Sequence, residues 1–205
     1  MNQTQDFTKG VIWKQLLFFF FPILIGSFFQ QLYNTVDTII VGQAVGTSAL
    51  AAVGSTGNLT NLIVNFYVGL STGASVVIAQ YYGAQNNKKI HQAVHTSYIL
   101  AIVSGILMML FGLFFSYQCL DAIGTPHDIL NDATLYMQLY FLCMIPGAIY
   151  NIGAGILRAV GDSKRPLYYL IVCSIVNVVF DFIFVVIFHQ GIAGAAIATV
   201  IAQSV

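Results

Sequence analysis

The sequence contains no glutamate, and charged residues of any kind make up only 7% of its 205 residues. A soluble domain carries charge on about a quarter of its residues, so this scarcity excludes an ordinary soluble fold. With 58% hydrophobic residues and a mean hydropathy of +0.84, the composition predicts an integral membrane protein. The formal net charge of zero argues neither for nor against a charged partner. We expect the lipid bilayer as a partner, and no nucleic acid.

Cysteine is also scarce. Cys119, Cys143 and Cys173 have no CxxC spacing, and they lie in or beside apolar runs. We interpret them as small buried apolar residues rather than disulfide partners or metal ligands. Neither a cofactor nor a transition-metal site is expected.

Apolar runs long enough to cross a bilayer recur along the chain. A hydrocarbon core of roughly 30 Å needs about 20 helical residues, and backbone groups in lipid must bond within their own segment. The runs near 15–41, 50–80, 93–117, 129–157 and 167–188 are therefore predicted to be spanning helices. A sixth run, 191–205, is shorter, and we expect the chain to end inside a helix. The predicted fold class is all-α: residues 1–205 form one amino-terminal bundle of six membrane helices, the sixth truncated, and a second bundle is absent.

The basic residues alternate between connections. They lie at the amino terminus, between spans two and three, and between spans four and five, whereas the other connections have none (Lys9, Lys14, Lys88, Lys89, Arg158, Lys164, Arg165). By the positive-inside rule the amino terminus is cytoplasmic, and the protein is a multi-pass protein of the inner (cytoplasmic) membrane. The first run resembles a signal peptide, but no small-x-small cleavage site follows it, which favours a retained helix.

Two carboxylates lie inside predicted spans. Asp37 and Asp181 are roughly 6 and 11 Å from the outer ends of spans one and five, by helical rise. A charged carboxylate at such depth costs at least about 2.5–3.5 kcal/mol, so it usually faces a polar cavity or a partner. No lysine or arginine lies in any span to pair with either residue, which leaves polar side chains, a bound cation or a proton.

Other polar side chains recur at helical spacing around these carboxylates. Gln30, Asn34 and Asp37 share one face of span one, with Tyr33 a turn before Asp37. Further candidates lie on the other spans (Asn58, Asn61, Asn151, Asn177, Thr199). The asparagines of span two are more typical of hydrogen bonds between helices. For the two aspartates we favour a functional role, because an asparagine would join helices without the cost of ionisation.

Oxygen ligands of this kind bind a hard monovalent cation, and a carboxylate in a low-dielectric cavity also takes up a proton. Na⁺ at Asp37, Asn177 and Asp181, or H⁺ on the aspartates, is therefore the predicted coupling ion. Two proline positions, Pro22 and Pro146–Gly147, interrupt the backbone hydrogen bonds and permit bending, although Pro146 is equally compatible with a static kink.

Four segments resemble the prokaryotic branch of the MATE (multidrug and toxic compound extrusion) family of transporters. They are FPILIGSFFQQLYNTVDTIIVGQAVGTSALAAVG, ILRAVGDSKRP, NVVFD and GIAGAAIAT, in this order. The resemblance covers essentially the whole chain. It implies one half of a twelve-helix transporter built from two six-helix bundles, and it leaves the second bundle, or a dimer of halves, to complete the protein.

The resemblance also implies a function: export of organic, often cationic, compounds in exchange for Na⁺ or H⁺. It assigns the cation site to Asp37, Asn151, Asn177, Asp181 and Thr199, with Pro22 as the helix-bending proline and Tyr33 as a supporting residue. Gln30, Asn34, Asn58 and Asn61 remain candidates for lining a cavity.

Other functions remain open at this point. A lipid-linked oligosaccharide flippase of the wider superfamily would place basic residues inside its cavity, and none is seen. A membrane scaffold without transport activity would not need two intramembrane carboxylates. An intramembrane enzyme would need a nucleophile, a metal or an acid–base set, and no histidine or glutamate lies within a span beside the aspartates.

Overall fold

The computed structural model describes the backbone of residues 11–44 and 46–204, and their side chains except at positions 12, 33, 37, 41, 44 and 47–49. Within these residues the secondary structure is entirely helical, which confirms the predicted all-α class. The helices are α1 (Ile12–Ala44), α2 (Thr47–Gly83), α3 (Asn87–Ala122), α4 (His127–Leu142), α5 (Met144–Ala159), α6 (Lys164–Asp181) and α7 (Gly191–Ser204). A π-helical segment, Phe182–Ile187, continues directly from α6.

The predicted spans coincide with these helices. Spans 15–41, 50–80 and 93–117 lie within α1, α2 and α3, and span 129–157 lies within the pair α4 and α5. By length and composition, α1, α2, α3, α6 with its π segment, and the bent pair α4–α5 are each able to cross a membrane. The sixth run forms α7, an apolar helix of 14 residues.

The fourth span is bent by 50° where α4 meets α5. The sequence predicts an interruption at Pro146–Gly147, and the break lies at Cys143, three residues earlier. A proline ring clashes with the carbonyl group four residues before it, here that of Leu142, so α4 ends at that residue. Pro146 itself lies in the first turn of α5, where a missing N–H group is tolerated.

Short turns closed by backbone hydrogen bonds join α2 to α3 and α5 to α6 on the basic side of the bundle. At the α5–α6 turn, Gly161 has φ 85° and the N–H of Asp162 donates to Leu157 O at 2.9 Å, which closes a Schellman motif. A carboxylate oxygen of Asp162 then accepts from the N–H groups of Lys164 and Arg165, both at 3.1 Å, so it caps α6. Short turns of this kind fix each pair of neighbouring helices in register.

Small residues let the central helices approach closely. Gly155 of α5 lies against Ser71 of α2, whose hydroxyl donates to the backbone carbonyl of Asn151 at 2.6 Å. Gly112 of α3 lies directly under the Phe141 ring of α4. Membrane helices associate through such packing and hydrogen bonds, because lipid supplies no hydrophobic force between them. Helices α2 to α5 therefore form a dense unit.

The outer surface of the described part is apolar and rich in aromatic side chains, as expected of a chain in lipid. All three cysteines are free thiols: Cys143 is buried at the α4–α5 bend, and Cys119 and Cys173 are half-buried. Helix α1 packs along α6, with Gly26 facing Leu167 and Leu170.

Candidate functional site

Two polar side chains of α6 are withdrawn completely from solvent. Asn177 is 1% exposed and Asp181 is 0% exposed, and they lie four residues apart on one face of the helix. Ser174, one turn earlier on this face, is also buried and donates to Leu170 O at 2.8 Å. The apolar sequence around them forms the helix, and their spacing directs both functional groups into the bundle.

A third polar group comes from α7. Thr199 is 4% exposed, and its hydroxyl oxygen accepts a hydrogen bond from the Asn177 side-chain amide at 3.3 Å. The same hydroxyl donates to Ala195 O at 3.1 Å. The amide oxygen of Asn177 is buried and accepts no hydrogen bond from any residue that the structure describes. The structure therefore brings Asn177 and Thr199 together, with one amide oxygen left available to a ligand.

Gly194 allows helix α7 to pack closely against the π segment that follows α6. A Cβ atom at Gly194 would lie 3.1 Å from backbone and side-chain carbons of Phe184, in the π segment. Only a residue without a side chain allows this approach without displacing its neighbours. Gly194 therefore fixes the separation of α7 from the π segment and, five residues later, the position of Thr199.

The π segment begins at the residue after Asp181. π-Helical turns are rare, and they occur frequently at functional sites. Two hydrogen bonds close its carboxyl-terminal end: the Phe188 N–H donates to Ile183 O, five residues earlier, and the Gln190 N–H donates to Phe184 O, six residues earlier, both at 2.9 Å. Sequence reasoning missed this segment because FIFVVI contains no glycine, proline or polar residue to indicate an irregular turn.

Asp37 belongs to α1, and its side chain, like that of Tyr33, lies outside the described residues. Its level along the bundle follows from the helix register. Spans one and five run in the same direction when each span crosses once, and Gly26 lies against Leu167 and Leu170. Advancing eleven residues along both helices reaches Asp37 on α1 and residues 178–181 on α6. Helical rise from this contact therefore predicts that the backbone of Asp37 lies near the level of Asp181.

Among the described residues, the hydrogen bonds of Asn151 involve α5 and α2. Its side-chain amide donates to Gly147 O at 2.8 Å, within α5, and its backbone carbonyl accepts from Ser71. None of the hydrogen bonds between described residues connects it to Asn177 or Thr199. The resemblance assigned all three to one site, and the structure joins only the last two.

The predicted cavity-lining amides lie on the surface of the described bundle. Gln30 and Asn34 of α1, and Asn58 and Asn61 of α2, are all exposed. Pro22 is half-buried inside α1, and the helix continues through it. We refer to the four amides as the exposed amide face. It does not include Asn177 and Asp181 of α6 or Thr199 of α7, which we call the buried group.

The buried group consists of oxygen ligands: a carboxylate, an amide oxygen and a hydroxyl. Such a set suits a hard monovalent cation, and the carboxylate also suits a proton. Among the described side chains no three of His, Cys, Asp or Glu converge, so nothing there resembles a transition-metal centre.

Comparison with known proteins matches this architecture. The MatE family model matches residues 22–183. The probable multidrug resistance proteins YoeA and YpnP of Bacillus subtilis are 31% and 30% identical to the chain. These alignments cover 97% and 98% of this chain, but only 44% and 45% of the relatives. The chain thus spans less than half the length of these relatives.

Solved structures show the same fold. A MATE transporter in its straight conformation superimposes with a TM-score of 0.90 at 28% identity, over 99% of this chain and 45% of that one. Its bent conformation gives 0.87 at 29% identity, over 93% and 42%. The family match covers most of the sequence, and the structural match follows it from end to end. This multi-pass membrane chain therefore belongs to the MATE family of transporters.

Proposed function

We propose that this chain is one half of a cation-coupled antiporter that exports organic, often cationic, compounds across the cytoplasmic membrane. The relatives named as multidrug resistance proteins support export as the activity. The buried group on α6 and α7 supports a cation, either Na⁺ or H⁺, as the coupling species. In this proposal the amino terminus is cytoplasmic and Asp37, Asn151 and Tyr33 complete or support the ion site.

The full burial of Asp181, one helical turn after Asn177, carries the proposal. A carboxylate withdrawn from water costs several kcal/mol, and this cost is offset when a cation or proton is bound. The occupied and empty forms therefore differ strongly in energy. A site with this property is able to couple ion movement to a conformational change of the bundle, because only differential binding shifts such an equilibrium.

The exposed amide face supports the second part of the proposal. Gln30, Asn34, Asn58 and Asn61 lie on otherwise apolar helices, where polar groups facing lipid are unfavourable. We place a second six-helix bundle opposite them, across a polar cleft that holds the organic substrate. A second bundle in the same polypeptide is our preferred arrangement, and a dimer of halves is the alternative.

Asp181→Asn in the intact gene product tests the coupling role. Asparagine keeps the size and hydrogen-bonding capacity of the side chain but neither binds a cation through a charge nor takes up the proton. In proteoliposomes loaded with a cationic dye, we expect export driven by an imposed Na⁺ or H⁺ gradient to fall to the level of empty vesicles. Asp37→Asn is expected to do the same.

Asp121→Asn is the matched control, because Asp121 is exposed near the end of α3. This variant should export at the rate of the parent protein. An unchanged thermal transition in detergent would show that all three variants fold. Undiminished gradient-driven export in both Asp37→Asn and Asp181→Asn would contradict the proposal.

A further inference from the structure

A groove separates the second half of α2 from the first half of α3 on the outside of the bundle. Its volume is about 550 Å³, and its apolar part is lined by residues such as Gly69, Gly73, Val77 and Leu100. It is distinct from the buried group on α6 and α7, and it lies at the lysine-bearing end of both helices. None of the residues assigned to ion coupling lines it.

The groove is open along its length because α2 has glycine where a side chain would fill it. A Cβ atom at Gly69 or at Gly73 would meet no atom within 4 Å. From Gly69 to Tyr81 the helix rises about 18 Å. Half of a bilayer's hydrocarbon core is roughly 15 Å, so the groove has the length of one lipid chain in one leaflet.

The end of the groove is polar and positively charged. Lys89 and Gln92 line it there, and the Lys89 ammonium group lies 5.3 Å from the centre of the Tyr81 ring. This cation–π contact holds the ammonium group at the mouth of the groove. Helix α2 contains no acidic residue, and the single aspartate of α3, Asp121, is near its opposite end.

The carboxylate of Asp162 lies on the same side of the bundle as Lys89, but it forms its ion pair with a different residue. Asp162 pairs with Arg165 at 3.1 Å, and this is the one salt bridge found among the described residues. No salt bridge between residues that the structure describes involves Lys89. Basic pockets between membrane helices, at the level of the headgroups, suit the phosphate of anionic lipids.

We propose that this groove binds an anionic glycerophospholipid, with an acyl chain along Gly69, Gly73 and Val77 and the phosphate at Lys89 and Gln92. The apolar part of the groove matches the acyl chain, and its charged end matches the phosphate. In a leaflet the phosphate also lies at the membrane surface and the acyl chain lies below it. A zwitterionic lipid offers the same phosphate but brings a positive headgroup amine towards Lys89. Selectivity for a net negative headgroup follows from that repulsion.

A fluorescent reporter placed in the groove tests the proposal. The sequence has one tryptophan, Trp13. Trp13→Phe, together with phenylalanine in place of any tryptophan outside this sequence, removes the native signal from the intact gene product, and Leu100→Trp then adds a single tryptophan in the groove. The protein is reconstituted into vesicles containing brominated phosphatidylglycerol or brominated phosphatidylcholine, and the quenching yields a relative binding constant. We expect phosphatidylglycerol to bind about fivefold more tightly, the effect of one lysine worth ~1 kcal/mol.

Two neighbouring lysines provide the matched comparison. Lys89→Gln should reduce the preference to about one, whereas Lys88→Gln, which replaces the adjacent lysine that does not line the groove, should change it by less than twofold. Soluble glycerol 3-phosphate should not reverse the quenching, because it lacks the acyl chain. This pattern would support the proposal independently of transport activity.

Four results would overturn it. Equal binding of the two lipids would remove the anionic selectivity, and equal effects of the two lysine variants would remove the role of the groove mouth. Absence of quenching by either lipid would show that protein covers the groove, as a second bundle or a second copy of the chain would. Displacement by glycerol 3-phosphate would assign the site to a soluble phosphate instead.

Discussion

Thr199→Val tests whether the hydroxyl of α7 belongs to the ion site. Valine has nearly the size of threonine, but it removes the oxygen that accepts the hydrogen bond from Asn177 at 3.3 Å. A buried amide donor left without its acceptor costs about 1–3 kcal/mol, and the length of this bond favours the lower half of that range. The site also loses one of its oxygen ligands.

The lost hydrogen bond lowers the stability of the fold, and the lost oxygen ligand raises the concentration of coupling ion needed for transport. A change of 1.4 kcal/mol corresponds to a factor of ten in affinity, so the half-saturating Na⁺ or H⁺ concentration should rise about tenfold. The assay is dye export from proteoliposomes at a series of ion gradients, with the maximal rate and the half-saturating concentration fitted separately. The effect should appear mainly in the second quantity.

Thr199→Ser is the control, because it keeps the hydroxyl and removes only a methyl group. Its half-saturating concentration should stay within about twofold of that of the parent, although loss of the methyl costs up to ~0.8 kcal/mol of stability. Identical half-saturation in the valine and serine variants would refute the reasoning, since only the valine variant lacks the oxygen.

Two glycines lead to further predictions. Gly194→Ala would place a Cβ atom 3.1 Å from carbons of Phe184, so we expect lower thermal stability and weaker ion dependence of transport. Gly57→Ala is the control: its Cβ atom would have no atom within 4 Å, so this variant should be neutral or stabilising. Gly112→Ala would place its Cβ inside the Phe141 ring, which predicts a loss of about 1–3 kcal/mol or more, measured as a lower melting temperature in detergent. Adding Phe141→Leu should restore part of that loss, and a double variant no more stable than Gly112→Ala would argue against this contact.

The helices were predictable because the bilayer dictates both their length and their composition. Each span is bounded by turn residues, so the predicted limits fall within about six residues of the observed ones. The bend of the fourth span was predicted from Pro146, but its position was not, because the clash acts on the residue four positions earlier. Pro146 is the cause of the bend, but the helix breaks three residues earlier, at Cys143.

The buried group was only partly predictable. The spacing of Asn177 and Asp181 places them on one face of a helix without any knowledge of the fold. Thr199 comes from another helix, and its contact with Asn177 depends on Gly194, which periodicity does not reveal. Nor does spacing distinguish Asn177, which is buried, from Asn58, which is exposed, since burial depends on which helices become neighbours.

The π segment has a consequence for how this span tolerates insertions and deletions. A π turn contains more residues than an α turn, so the segment Phe182–Ile187 has more residues than an α-helix would need there. A one-residue deletion there is absorbed by tightening the turn. The same deletion between Asn177 and Asp181 rotates the carboxylate by about 100° from its partner. We therefore expect length variation in this span to be tolerated on the carboxyl-terminal side of Asp181 and not between Asn177 and Asp181.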